Sequence, residues 1–341
     1  MLKLFYIRNK KYILSFFIIF GFLFAGKFTL HGQKGTEIIR DKHFQEGFSL
    51  TPLKPSIVQK GGGFDKTYVD TLDFGMDAPN PIWRIAQWHS KYSLENTSPV
   101  TGEDGSIIYS NEGKKVGLFP DSSLLLEVNA SKEYDAPREN GEQWPHLLIA
   151  QDFFERSPCV GEMKKINFSM DLKLVKCENK MEEGSFNPSL HTAHTPFCFI
   201  IKNVNQGSPD YLEKIWFCIP SFDYRRTEQH KEDWIHWDIG TSTYIYRAAG
   251  VDIWGDINFH DKNWHHASAD LKPMILDALL AMKDKDVFLN TSLHDLNITY
   301  MNFGWEVPGT FDAAVRVKNI SLKTIPYHIE SPAKSFPLLK D

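Results

Sequence analysis

Apolar side chains are arranged along this chain in two ways, and the difference predicts two kinds of strand. Phe197-Cys198-Phe199-Ile200-Ile201 and Ile215-Trp216-Phe217-Cys218-Ile219 are unbroken apolar runs bounded by turn residues, the pattern of strands buried on both faces. Asp233-Trp234-Ile235-His236-Trp237-Asp238-Ile239 alternates instead, which predicts a strand with one wetter face. Side chains on a strand alternate with period two, so Trp234, His236 and Asp238 share that surface, while Ile235, Trp237 and Ile239 point the other way.

Further strands follow from the same criteria. Tyr68 to Phe74 is a first strand, and Trp83 to Trp88 alternates with Trp83, Ile85 and Gln87 on one face and Arg84, Ala86 and Trp88 on the other. Ile107 to Ser110 and Lys115 to Phe119 flank the turn-forming Asn111-Glu112-Gly113, which predicts a hairpin. Leu124 to Ala130, His146 to Phe153 and the faultless alternation Ile166 to Leu174 are strands, and Ile235 to Tyr246 is a hairpin around Gly240-Thr241-Ser242. Leu296 to Tyr300 and Ala313 to Leu322 close the series, with a turn around Pro308-Gly309 between them. One segment has helical spacing: Asp270 caps it, Pro273 lies in its first turn, and Ile275, Leu276, Leu279 and Leu280 form its apolar face. The chain therefore reads as all-β with one short helix.

The first residues have a different order. Lys10-Lys11 precede the apolar segment Tyr12 to Phe24, and small or polar residues follow, as in a secretory signal. The apolar core is shorter than the roughly 18–20 residues that span a bilayer comfortably. Residues 1–32 are thus expected to be a signal peptide, 33–63 a flexible lead-in ending in Gly61-Gly62-Gly63, and 64–330 one β-sandwich domain. No membrane span is expected after signal removal, and the expected location is secreted, periplasmic or cell surface. The 341 residues carry a formal charge of −5, which argues against a nucleic-acid partner. Four cysteines in an exported chain suggest two bridges with three connectivities. Cys198 and Cys218 can pair across the buried strands if these are neighbours, and Cys159 and Cys177 can close the ends of another strand. Four reduced thiols are the alternative.

The early strand near Tyr68 to Phe74, the many short strands, and the closing Phe311-Asp312-Ala313-Ala314-Val315-Arg316-Val317-Lys318-Asn319-Ile320-Ser321-Leu322 resemble the concanavalin A-like jelly-roll superfamily of lectins, carbohydrate-binding modules, glucanases and polysaccharide lyases. The resemblance covers about residues 64–326. It implies a two-sheet antiparallel jelly-roll sandwich whose last strand returns beside the first, and a polysaccharide or glycan as partner. No cofactor is expected; a structural calcium is implied by the resemblance alone, with the acidic and Asn-rich stretch Asp252 to Asp261 as an oxygen source.

Three chemistries make different demands on specific residues. A retaining glucanase needs acids alternating on one strand, roughly 5–5.5 Å apart; Glu133, Asp135 and Glu139 share parity, but Pro137 interrupts the run. An eliminating lyase needs a His or Tyr base, a Tyr acid, and Arg, Gln or Asn to neutralise a substrate carboxylate, for which Arg138, His146, Gln151, His194 and Tyr244 are the candidates. His146 and Gln151 have opposite parity on a regular strand. Binding needs only aromatic faces and polar groups beside them, and Trp234, His236 and Asp238 opposite Tyr244, Tyr246 or Arg247 form a sensible sugar platform, with Trp83, Arg84, Gln87 and Trp88 as a second wall. The His191/His194 and His265/His266 pairs lack a third ligand of recognisable spacing, so no metal site is expected.

Overall fold

Phe197–Asn203 and Lys214–Ile219 are adjacent antiparallel strands, with Cys198 directly opposite Cys218. Phe197, Phe199, Ile201, Ile215, Phe217 and Ile219 face the main core, whereas Cys198, Ile200, Trp216 and Cys218 join a second apolar cluster on the other face of the same sheet. Burial on both faces is what the unbroken apolar runs demanded. The computed structural model that shows this describes residues 35–55, 67–76, 78 and 80–327. The expected signal segment and the triplet Gly61–Gly63 lie outside the described residues.

Two sheets form the sandwich. The back sheet contains β1 (Thr36–Glu37), β5 (Val100–Thr101), β6 (Ile107–Ser110), β7 (Lys114–Leu118), β8 (Leu124–Asn129), β10 (Met163–Asn179), β15 (Trp264–Asp270) and β17 (Phe311–Pro326). Its order is β15-β10-β17-β8-β7-β6-β5, with β1 also paired to β17. The front sheet contains β2 (Phe48–Leu50), β3 (Asp70–Leu72), β4 (Trp83–Ala86), β9 (His146–Asp152), β11 (Phe197–Asn203), β12 (Lys214–Ile219), β13 (Trp234–Asp238), β14 (Thr243–Arg247) and β16 (Leu296–Glu306). Its order is β13-β14-β12-β11-β16-β9-β4-β2-β3. Pairing is antiparallel except for β2 with β4 and β12 with β14. The expected first strand near Tyr68 to Phe74 does not lie beside the last: β3 ends the front sheet, and β17 is instead joined by β1, with Thr36 opposite Thr324.

Inward side chains of both sheets make one core. Phe168 of the back sheet meets Phe197 of the front at 4.8 Å between ring centres, and Trp305 Nε1 of the front donates to the Leu126 carbonyl of the back at 2.9 Å. Each large apolar side chain removed from water there contributes roughly 1.5–3 kcal/mol.

Two expectations need correction. Residues 35–55 are not a loose lead-in: Ile38, Ile39, Phe44, Phe48 and Leu50 are buried, and β1 and β2 add to opposite sheets. Strands of two and three residues are too short to show a period. The helical segment also has a different inner face. Besides the one-turn helices α1 (Ala130–Glu133) and α2 (Val251–Trp254), the chain forms α3 (Leu271–Lys283), whose N-cap Asp270 accepts from Lys272 N at 3.2 Å. Ile275, Ala278, Leu279 and Met282 are buried, while Leu276 and Leu280 are 40% and 55% exposed. The stripe that docks runs i, i+3, i+4, i+7, so Ala278 and Met282 take the places that large leucines seemed to claim.

Cys198 and Cys218 form a disulfide between β11 and β12, and Cys159 and Cys177 are free thiols. Cys159 Sγ instead donates to the His294 carbonyl at 3.3 Å, so the second expected bridge is not made.

Candidate functional site

The outer face of the front sheet, turned away from the core, carries several side chains capable of binding or acid–base chemistry. Its composition depends on one irregularity. In β16, Leu296 and Ile298 face the core, but Ile200 pairs with Tyr300 and Ile201 with Ile298, leaving Thr299 unpaired in a β-bulge. One extra residue reverses the parity of everything after it. Met301, Phe303 and Trp305 therefore take the core, and Tyr300, Asn302 and Glu306 face outward.

Cross-strand pairing then builds rows across this face. One runs Arg84, Ala150, Asn302, Cys198, Cys218, Arg247, Trp234 across β4, β9, β16, β11, β12, β14 and β13. At about 4.8 Å per strand spacing it extends roughly 30 Å. A second row, at the end of β16, places Glu306 between His146 on one side and His194 on the other, with Asp223 beyond His194.

The second row is electrostatically tight. His194 Nε2 lies 3.3 Å from Glu306 Oε2. Burial opposes ionisation of Glu306, but His194 first, then His146 and Arg247, hold its carboxyl down at about 2. Burial likewise opposes ionisation of Asp223, yet Arg225, His194 and Thr192 keep it well below the usual carboxylate range. Arg225 grips it with both ends of its fork, Nε to Oδ1 at 2.9 Å and Nη2 to Oδ2 at 2.6 Å. Burial lowers the pKa of His146, against the pull of Glu306. The His146 Nδ1–H donates to the Trp144 carbonyl at 2.8 Å, which leaves Nε2 as the acceptor nitrogen of the neutral ring. The Trp144 indole is stacked on that ring at 5.7 Å, with Arg138 over the indole at 4.9 Å.

At the β13 edge, Trp234 is half exposed and stacks on His236 at 4.3 Å, with Arg247 5.3 Å from the indole centre. Burial and then Arg247 lower the pKa of His236. Among the described residues, four buried side-chain N or O atoms have no hydrogen-bond partner in the protein. Three of them, Arg84 Nη2, Trp144 Nε1 and His236 Nδ1, belong to this face or its rim. Buried polar atoms are nearly always paired, by protein or by water, so these three, spread along the face, are able to take hydrogen bonds from a ligand or from solvent.

The structure thus brings His146, His194, Trp234 and His236 to one face, with Arg84 and Trp88 near its opposite side. Trp88 lies 6.1 Å from the His146 ring, and Arg84 is paired with Asp152. Other expected members are elsewhere. Trp83 is fully buried and donates to the Asp41 carbonyl, so it is core rather than wall. Gln151 points into the sandwich, where it exchanges hydrogen bonds with Arg40 N and O at 2.9 and 3.1 Å; no bulge rescues its parity with His146. Arg138 is buried in a loop, donating to the Glu142 and Leu190 carbonyls.

Tyr244 and Tyr246 pair with Trp237 and Ile235, hence face away from Trp234. Tyr246 is buried against Phe217 and donates to Asp233. Asp238 is turned to its own turn, accepting from Gly240 N, Thr241 N and Thr241 Oγ1. Glu133 is buried beside Lys114, and its expected companion Asp135 is exposed.

Arg247 takes its expected place beside Trp234, whereas Glu306 and Trp144 are members of the site that the sequence pattern does not single out. The alternation Met301-Asn302-Phe303-Gly304-Trp305-Glu306 was available to extend the strand beyond Tyr300, but nothing local reports the bulge.

Among the described residues, no group of three or more His, Cys, Asp or Glu is arranged to hold a metal ion. In the stretch proposed for calcium, Asn258 Oδ1 accepts from His260 N, and Asp261 Oδ1 accepts from Asn263 N and interacts with His265 Nε2.

No protein-family model matches the chain, and no curated protein matches it in sequence. Solved structures to which the chain is similar include the endoglucanase Cel12A of Rhodothermus marinus, at 11% identity and a TM-score of 0.35 over 71% of this chain and 99% of that one. The family 12 xyloglucanase of Bacillus licheniformis gives 11% and 0.37 over 70% and 99%. The family 11 xylanase of Neocallimastix patriciarum gives 9% and 0.34 over 67% and 96%.

Proposed function

We propose that this is a carbohydrate-handling protein that holds an extracellular polysaccharide or glycan across the outer face of its front sheet. The observation that carries this reading is the row of polar and aromatic side chains from Arg84 to Trp234, along which Arg84 Nη2, Trp144 Nε1 and His236 Nδ1 have no hydrogen-bond partner in the protein. Sugars offer many hydroxyls that donate and accept, and apolar ring faces that stack on aromatics such as Trp234. A row roughly 30 Å long suits an extended chain better than a single sugar. The Cys198–Cys218 bridge fits an oxidising compartment, which supports export. No helix of the described residues is long and apolar enough to cross a membrane.

Hydrolysis by paired carboxylates finds little support in the geometry. Glu306 and Asp152 pair six positions apart along β16 and β9, about 20 Å, far beyond the 5–9.5 Å that glycosidases use. Glu306 and Asp223 are closer, but both are held ionised, and a general acid must keep its proton. An eliminating lyase is the second reading, favoured by His146 and His194 on either side of Glu306 with an acceptor nitrogen on His146.

The test is to incubate the purified protein with neutral and uronate-containing polysaccharides, following chain length and unsaturated-uronate absorbance, then retention on each polymer. Retention without shortening is expected. Shortening with new absorbance establishes the lyase, and shortening without it establishes a hydrolase. Failure to bind or alter any polymer refutes the carbohydrate reading.

A further inference from the structure

We infer that the sugar chain taken by this face is anionic, and that Arg247 and Arg226 receive its negatively charged group in the cleft beside His194. The inference rests on the glycan reading above and adds the charge class of the ligand. Arg226, His230, Arg247 and His194 line one cleft together with Pro220 and Asp223. Arg247 is placed by β14 with Trp234 beside it, and Arg226 is anchored through its main chain, N donating to the Asp223 carbonyl at 2.9 Å and O accepting from His260 Nε2 at 3.2 Å. Arg247 is thus a partly buried cation set into the sheet, and Arg226 is an exposed one lining the same cleft.

The charges around the cleft do not cancel pairwise. Asp223 is held by Arg225 at 2.6 Å, Glu306 faces His194 at 3.3 Å, and the exposed Glu228 lies 3.3 Å from Lys231. Among the described residues, no carboxylate is within ion-pair distance of Arg226 or Arg247. Burial is the main influence against the charged form of Arg247; Glu306 and Asp223 favour it from beyond ion-pair distance, and Arg225 and Arg226 repel it. Two guanidinium groups lining one cleft, neither of them in a salt bridge among the described residues, can receive a carboxylate or sulfate, whose oxygens accept bidentate N–H bonds.

The experiment compares retention of the full chain on polygalacturonate and on κ-carrageenan with retention on the same polymers after carboxyl reduction and after desulfation. At least a tenfold loss on neutralisation is expected, with loss on carboxyl reduction identifying a uronate and loss on desulfation a sulfate ester. R226Q and R247Q, checked for wild-type melting temperature, should weaken retention on the charged polymer and leave the neutralised one unchanged. Equal retention on charged and neutralised polymers overturns the anionic assignment while leaving the glycan reading intact. A charge preference that both variants retain overturns the assignment to these arginines. Absence of retention on every polymer of the wider panel overturns the glycan reading, and this inference with it.

Discussion

His194 and Glu306 are joined three times: by the 3.3 Å contact between Nε2 and Oε2, and by two backbone hydrogen bonds of 3.0 Å that run in opposite directions between the same residues. A pair held by main chain and side chain together has little freedom to move apart. That places the imidazole of His194 at a set position on the front sheet, whatever the surrounding loop does.

Replacing Glu306 with Gln removes the charge but keeps the shape. The His194 contact weakens, and Arg247 loses the carboxylate that most strongly favours its charged form. Stability should fall by about 1–3 kcal/mol in a urea titration, the usual cost of spoiling a partly buried polar contact. Retention on an anionic polymer should rise, because a carboxylate that competes for Arg247 is gone. Wild-type values in both measurements would remove Glu306 from the site.

The same carboxylate predicts an acid dependence. Its folded pKa is depressed from 4.5 to about 2, so the unfolded chain binds the extra proton first as pH falls. Its stabilising contribution is complete above about pH 4.5 and is lost progressively toward pH 2. Urea midpoints measured from pH 6 down to pH 3 should decline more steeply for the wild type than for E306Q, and equal slopes would contradict the depressed pKa.

Much of the sandwich was legible because it rests on local patterns. The runs around Cys198 and Cys218 announced burial on both faces, and the alternation around Trp234 announced a surface strand. The site was less legible, since it depends on events with no local signal. The bulge at Thr299 decides that Glu306 faces outward, and it follows from how β16 registers against β11 rather than from the residues beside it. Trp83 and Trp234 look alike in sequence, yet one is core and the other half exposed, because only tertiary pairing tells an inner strand from an edge. Gln151 is drawn inward by Arg40, a residue over a hundred positions away in a stretch that shows no strand period.

Gly304 separates these influences experimentally. Its φ of +150° and the Leu147 carbonyl oxygen, 2.1 Å from where a Cβ would stand, exclude any side chain. Gly304→Ala must push β9 away from β16, at a cost of about 1–3 kcal/mol for the strained backbone. Because His146 and Glu306 pair across those same strands, retention should drop as well. V315A, a core truncation in β17, should lower the melting temperature while sparing retention. If both variants bind alike at a temperature where both are folded, the β9–β16 register does not matter to the site.

The Cys198–Cys218 bridge closes a loop of 20 residues between β11 and β12. Loop closure of that length stabilises by about 3 kcal/mol in the chain-entropy model. C198S/C218S should lose about that much in denaturant unfolding, and adding reductant should shift the wild type toward the variant and leave the variant where it was. A reductant-insensitive wild type would mean that the bond is absent from the folded protein.

On the back sheet, Lys114 and Glu133 form a buried ion pair, 3.8 Å apart, with side chains 0% and 1% exposed. Lys114 Nζ donates to Ser90 Oγ and the Tyr92 carbonyl, while Glu133 accepts from Ser90 Oγ and from Lys91 N at 2.6 Å. Removing one partner strands the other, so K114M should cost about 3–5 kcal/mol, whereas K114M/E133L should recover most of it. Burial, opposed by Glu133, lowers the folded pKa of Lys114 to about 8 from 10.5. The unfolded chain thus binds more protons between about pH 8 and pH 10.5, and stability contributed by this group rises with pH across that window. Wild-type protein should show the rise relative to K114M/E133L, in which the titrating amine is gone. A double-mutant cycle with additive costs and parallel alkaline profiles would show that the two charges, though adjacent, are not coupled.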